Sequence, residues 1–278
     1  MDRIPLGVAR LDDVVGGGAP QGSVVLLVGE SGAGAREFLY TSAAMNALAD
    51  TDPDLFDLHY GDLDPGAATP PEIHYVSFTT GREYIEREMS YTMSDEIVDA
   101  AVDAIQFRDL SPEYFQLSPV PRQWYMGKSR SMTDLGRDER STGVLEALGD
   151  YLSANAQGSL VLVDSITDLV AAVSDDMQWG DIAMVMKGLE KAANRWGGLI
   201  LLLVNHETLG PQEQGGLMDA ASGTFLFEWE TGGSKRGRTM VVQEFRGVLP
   251  RLEEENIVRF ETEVHEAGFD ISDVRKIR

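Results

Sequence analysis

Four short stretches, residues 24–28, 73–78, 160–163 and 199–204, are almost continuously apolar. A strand with one wet face would alternate, so these runs predict strands covered on both faces, as in a parallel sheet between two helical layers. Between them, Ile182, Val185, Met186, Leu189 and Ala193 recur at helical spacing, and Val144, Leu145, Leu148 and Leu152 repeat the pattern. Strands that alternate with amphipathic helices predict an α/β fold around a mostly parallel sheet.

After residue 220 the rhythm becomes strand, turn, strand: residues 224–230, a Thr-Gly-Gly-Ser turn at 231–234, then 239–245 and 257–261. This predicts an antiparallel extension on the edge of the parallel sheet. Two stretches read as surface insertions. Residues 50–71 carry six Asp (50, 52, 54, 57, 62 and 64) among Pro and Gly, as a mobile loop would. Residues 107–141 hold Pro112, Pro119 and Pro121 among the aromatics Tyr114, Phe115, Trp124 and Tyr125, which suggests either a partner-binding face or a loop pinned to the body. With no internal repeat, the expected organisation is a single domain over residues 1–278.

Composition narrows the function classes. The chain has no Cys, which removes disulfides, thiolate metal sites and cysteine nucleophiles, and its four His lack ligand spacing. The longest apolar run, residues 199–204, is far too short to span a bilayer, and residues 1–5 lack a signal-peptide layout, so the cytoplasm is the expected location. The net charge is −23, and only 5 of the 23 cations are Lys. Such acidity points to a proteome adapted to high internal salt and away from phosphate-backbone binding. In molar salt, however, the Debye length is about 3 Å, so local charge decides more than the total.

The stretch at 24–28 runs into Gly29-Glu30-Ser31-Gly32-Ala33-Gly34-Ala35-Arg36 and then a helical pattern, the layout of a P-loop. With 29 Gly in the chain, about three such glycine pairs are expected by chance, so the flanking strand and helix carry the signal. The two positions that carry the chemistry depart from the pattern. Lys, which would neutralise phosphate charge, is replaced by Ala35, and the Mg²⁺-binding Ser or Thr by Arg36. Two readings stay open here: a glycine turn without a ligand, or a retained anion or nucleotide site. Asp164 ends the apolar stretch 160–163 and could be a Walker B carboxylate or a turn former.

These segments resemble the KaiC-like branch of the RecA-type ATPases. The resemblance rests on residues 3–12, the Gly-Gly-Gly-Ala-Pro-Gln-Gly-Ser run at 16–23, the glycine loop, Tyr75-Val76-Ser77-Phe78, Asp164, Asn205-His206-Glu207-Thr208 and Val242-Gln243-Glu244-Phe245-Arg246-Gly247, in that order. It implies a three-layer α/β/α RecA-like P-loop fold, with a mostly parallel central sheet and an antiparallel C-terminal extension. It also implies that the catalytic glutamate pair falls on Thr79-Thr80 and the neighbour-facing Lys on Glu244, while Arg246 survives as a subunit contact. His206 and Glu207 fit a γ-phosphate sensor or a polar strand end; Lys235, Arg236 and Arg238 fit a contact surface or a solvated hairpin tip.

A chain with 46 carboxylates that lacks them at Thr79-Thr80 cannot polarise an attacking water there. The expected function is therefore a non-hydrolysing regulatory or scaffolding protein, a pseudo-ATPase of haloarchaeal type. It would act through a protein partner or an oligomer of RecA-like subunits. If ATP or another nucleotide binds, the expected mode is Mg²⁺-independent, on the residue 29–34 amides and Arg36, and no metal is expected. The alternatives are an ATPase completed by a neighbouring subunit, or by Asp164 and Glu207, and a recombinase-like DNA-associated accessory protein.

Overall fold

In a computed structural model, which describes residues 3–126, 143–173, 177–232, 235–248 and 259–274, the apolar stretches become adjacent strands. The strands are β1 (Arg3–Ile4), β2 (Ala19–Pro20), β3 (Ser23–Gly29), β4 (Ile73–Ser77), β5 (Ile105–Asp109), β6 (Leu160–Asp164), β7 (Leu199–Asn205), β8 (Gly223–Gly232), β9 (Lys235–Phe245), β10 (Arg259–His265) and β11 (Gly268–Val274). β1 and β2 form a small antiparallel ribbon; the other nine form one sheet, in the order β11-β10-β9-β8-β3-β7-β6-β4-β5. Every neighbouring pair from β8 to β5 is parallel.

Helix layers on both faces explain the unbroken apolar runs. Along β3, Val25 and Leu27 pack toward helix Ala35–Thr51, while Val24, Leu26 and Val28 pack in the core containing helix Trp179–Trp196. Burial of a side chain such as Leu26 or Leu27 contributes about 1.5–3 kcal/mol, so the strand is anchored from both sides. At the open end, the turn between β10 and β11 closes onto helix Ala35–Thr51, where the Phe269 N–H donates to Thr41 Oγ1 at 2.8 Å. Among the described residues, no helix is long and apolar enough to cross a membrane.

Several details differ from the sequence expectation. β8 is parallel to β3, so the antiparallel extension starts at β9 and not at residue 224. The strand expected at 257–261 is β10, beginning at Arg259, and β11 follows it; residues 257–258 lie outside the described residues. Within the expected loop 50–71, residues Pro53–His59 form a helix, because Asp52 caps it by accepting from the Leu55 N–H at 3.1 Å and because Leu55 and Phe56 are buried. The expected insertion 107–141 begins inside β5 and continues through helices Ser111–Phe115 and Arg122–Tyr125; its remainder, 127–141, lies outside the described residues. β5 escapes a periodicity reading because it is an edge strand, broken by Gln106, Arg108 and Asp109.

Candidate functional site

The glycine loop joins the C-terminal end of β3 to helix Ala35–Thr51, the place where ligands of open α/β sheets bind. Gly34 sits at φ +117° and caps the helix; a Cβ there would also stand 3.0 Å from the Phe269 ring. Only glycine meets both demands cheaply. The first amides of a helix have no partner within it, so those of Ala35, Arg36 and Glu37 are available to an anion. The cleft in front of them is about 160 Å³ and is lined by the loop, Glu37, Ser165 and Asn205. Small-molecule sites usually run from about 300 to 1,000 Å³, so this cleft suits an oxyanion better than a whole nucleotide.

Arg36 points across the cleft floor to Asp164 at the end of β6. Its Nε and Nη2 donate to the two carboxylate oxygens at 3.1 and 2.9 Å, a two-pronged pairing. The buried hydroxyl of Tyr75, on β4, donates to the same carboxylate at 2.9 Å. Burial works against the Arg36 charge, but the Asp164 carboxylate outweighs it and raises the guanidinium pKa further above its ordinary value. Burial, with the Asp164 charge beside it, also raises both Tyr75 and Tyr40, so the two phenols stay neutral. Apolar periodicity reads Tyr75 only as part of a covered strand, although a phenol inside an apolar strand must find a polar partner, and that is the signal that could have shown its role.

A magnesium ion of the P-loop kind would need a hydroxyl at position 36 and access to Asp164. Here a cation already covers both oxygens of that carboxylate, and the hydroxyl is absent. The residues present do not fit a metal at this place.

No family model and no curated protein matches the sequence. Among solved structures, the chain is similar to a KaiC-like protein from the hyperthermophilic archaeon Pyrococcus horikoshii, with a TM-score of 0.60 and 14% identity over 98% of this chain and 99% of that one. The fold is KaiC-like. It is the three-layer, mostly parallel, RecA-like α/β architecture, with antiparallel strands at its C-terminal side.

Within this KaiC-like fold, the remaining sequence-read residues separate. Thr79 and Thr80 turn back on β4: their N–H groups approach Ser77 Oγ at 3.4 and 3.1 Å, and the Thr80 and Ser77 hydroxyls share a 2.9 Å hydrogen bond. Glu207 reaches the glycine loop, accepting from Ser31 Oγ at 2.8 Å, whereas His206 lines a different cavity. Glu30 accepts from the Trp229 N–H at 3.1 Å, and the Trp229 indole donates to the Ser31 carbonyl at 3.1 Å, so β8 straps the loop. Glu30 and Glu37 therefore line the cleft, Glu207 is bonded to its Ser31, and among the described residues the one lining cation, Arg36, already faces a carboxylate.

Two of the expected contact residues, Arg246 and Arg238, are engaged within the chain. Arg246 pairs with Glu190 on helix Trp179–Trp196 and lies 3.8 Å from Glu244. Arg238 rests over the Trp229 ring at 5.1 Å. Lys235 and Arg236 stand opposite Gly232 and Thr231 in the β8–β9 ladder. In the insertion, Tyr114, Phe115 and Tyr125 form a chain of ring contacts that reaches Phe78 after β4 and pins the stretch to the body, while Trp124 (75% exposed) and Leu117 (91%) face outward. The reading of a loop pinned to the body thus holds for Tyr114, Phe115 and Tyr125.

Proposed function

We propose that this chain is a non-hydrolysing KaiC-like protein, a regulatory or scaffolding subunit that acts through protein partners. The observation that carries this reading is the Arg36–Asp164 fork. It sets a protein cation where a metal ion would need access, and both Asp164 oxygens already accept hydrogen bonds from it. Ala35 adds no phosphate-neutralising charge, and Thr79 and Thr80 hold no carboxylate to activate water. Each such loss costs orders of magnitude in rate, and together they leave no route to turnover.

The working medium in this reading is a salt-rich, haloarchaeal-type cytosol, supported by the net charge of −23. Any ligand of the cleft, a small anion or the phosphates of a nucleotide, is held by the loop amides without Mg²⁺. The outward Trp124 and Leu117 support the insertion as a partner surface, since large apolar and aromatic side chains enrich in interface cores.

Phosphate release from ATP and Mg²⁺ in molar KCl tests the first half: no release above background is expected. Turnover that Asp164→Ala abolishes would overturn it in favour of an ATPase using Asp164 and Glu207, the reading that the Ser31–Glu207 contact favours. For the second half, affinity purification at native salt should recover a partner with the wild type and lose it with Trp124→Glu.

A further inference from the structure

The outward face of helix Trp179–Trp196 runs against the charge of the chain, which carries 46 Asp and Glu against 23 Lys and Arg. Ile182, Met186 and Ala193 turn its other side into the core. Opposite them Lys187, Lys191 and Arg195 follow at four-residue intervals, all exposed, and form one row with steps of about 6 Å. The two carboxylates of the helix are engaged elsewhere: Asp181 accepts from the Gln178 N–H at 3.0 Å, and Glu190 pairs with Arg246. Lys187 meets Asp219 at 3.0 Å, whereas among the described residues Lys191 and Arg195 form no ion pair. The helix dipole favours a cation in the last turn, which accounts for Arg195 but not for the row. Within the same face Met184 is 65% exposed, and a Cβ at Gly188 would meet nothing, so the surface beside the row is open to close approach.

Helix Asp95–Ala101 presents the complement. Ile97, Val98 and Ala101 are buried, while Asp95, Glu96 and Asp99 are exposed, and Asp103 continues their side at the same four-residue interval. Arg82 pairs with Asp103; among the described residues Asp95, Glu96 and Asp99 form no ion pair. Tyr91, near the end of the preceding helix Arg82–Thr92, is 75% exposed. The two faces belong to opposite layers of the fold: Ile97 and Val98 pack in the core that holds helix Ala35–Thr51, and Ile182 and Met186 in the core across the sheet. Within one chain they cannot meet.

We infer that the row on helix Trp179–Trp196 docks onto helix Asp95–Ala101 of a second copy of this chain, with Lys191 and Arg195 against Asp95 and Asp99, and with Met184 and Tyr91 supplying apolar surface. In molar salt the Debye length is about 3 Å, so separated charges are screened while ion pairs in direct contact persist. Because the two patches differ, the contact is head-to-tail and builds a ring or an open chain of copies. It uses neither the glycine loop nor the 107–141 insertion, so its failure would leave the reading of a non-hydrolysing subunit as it stands.

Sedimentation velocity in molar KCl, over a range of protein concentrations, tests the contact by charge exchange. The wild type should associate as concentration rises. Lys191→Glu with Arg195→Glu makes both faces acidic, and Asp95→Lys with Asp99→Lys makes both basic, so each double variant alone should associate at least about tenfold more weakly. Mixed in equal amounts, the two variants should associate again, because each acidic face then finds a basic one. If either proves unfolded by its thermal transition, Met184→Glu and Tyr91→Glu, both at exposed positions, take their place and should each weaken association. Added ATP and Mg²⁺ should change nothing. A wild type that stays monomeric, a folded variant that associates as the wild type does, or a mixture that stays monomeric overturns the proposal. So does association that requires ATP and Mg²⁺, which would place the contact at the glycine loop.

Discussion

The guanidinium of Arg36 lies fork-to-fork on the Asp164 carboxylate, with N–O distances of 3.1 and 2.9 Å, at the position where a metal-dependent P-loop would place its hydroxyl ligand. Asp164 is nearly buried, whereas the Arg36 side chain is half exposed. The pair therefore fixes the cleft floor from inside the protein.

Magnesium dependence follows directly. In the wild type, binding of a fluorescent ATP analogue should be the same in EDTA as in millimolar Mg²⁺. Replacing both odd positions, Ala35→Lys with Arg36→Ser, frees Asp164 and restores the phosphate-neutralising charge and the metal-ligating hydroxyl. Titration of that double variant should show Mg²⁺-dependent binding at least about tenfold tighter than in EDTA. Mg²⁺-dependent binding by the wild type would show that the fork opens to admit a metal.

Arg36→Ala alone should destabilise the protein. Removing one partner of a buried pair costs about 3–5 kcal/mol, because the remaining charge is left uncompensated. Solvent reaches the Arg36 side, and the Tyr75 hydroxyl still donates to Asp164, so a smaller loss, about 1–3 kcal/mol, is expected. Urea denaturation reads it. The double substitution Arg36→Ala with Asp164→Asn should recover part of the loss, because no unpaired charge then remains.

How much of this was legible in the sequence depends on the range of the interaction. β3, β4, β6 and β7 were readable because burial on both faces makes a strand apolar without interruption, and the glycine loop because its backbone needs conformations that side chains forbid. Ala35 and Arg36 were visible as departures from a local motif. The partner of Arg36 was not, since Asp164 lies 128 residues away and only the parallel pairing of β4 with β6 brings it and Tyr75 together. The same limit hid the parallel setting of β8, whose local turn chemistry matches an antiparallel hairpin with β9 just as well.

Asp12 gives the chain a pH dependence of unusual sign. Its carboxyl is buried beside β1, accepting from the Leu6 and Gly7 N–H groups at 2.8 and 3.0 Å and from the Tyr60 hydroxyl at 2.9 Å. Burial outweighs these donors and pushes its pKa up from 3.8 to about 7. Between those values the folded state holds a proton that the unfolded state has released, so this group's contribution is complete below pH 3.8 and is lost as pH rises to about 7. Relative to Asp12→Asn, which does not titrate, the wild type should lose about 1.4 kcal/mol per pH unit over that window and nothing further above it. Denaturation of both proteins from pH 4 to 8 measures this; a constant difference would show that Asp12 stays ionised.

The β10–β11 turn should control the order of the glycine loop, although it lies more than two hundred residues away in sequence. Gly268, at φ +96°, has no room for a side chain: a Cβ would come within 2.3 Å of Thr41 Oγ1, the atom that accepts the Phe269 N–H. Phe269 in turn packs edge-on against Phe38 and Phe227, with ring centroids 5.4 and 5.7 Å away, and its ring lies against Gly34 at the start of the loop helix. Gly268→Ala should therefore lift the turn off helix Ala35–Thr51 and expose the loop amides to faster hydrogen exchange. Thr41→Val isolates one part of this by leaving the buried Phe269 N–H without an acceptor, at a cost of about 1–3 kcal/mol. Hydrogen exchange resolved to residues 29–38 distinguishes the outcomes: protection falling there in both variants is the expected result, whereas loss confined to residues 259–274 would show that the turn closes the sheet without bracing the loop.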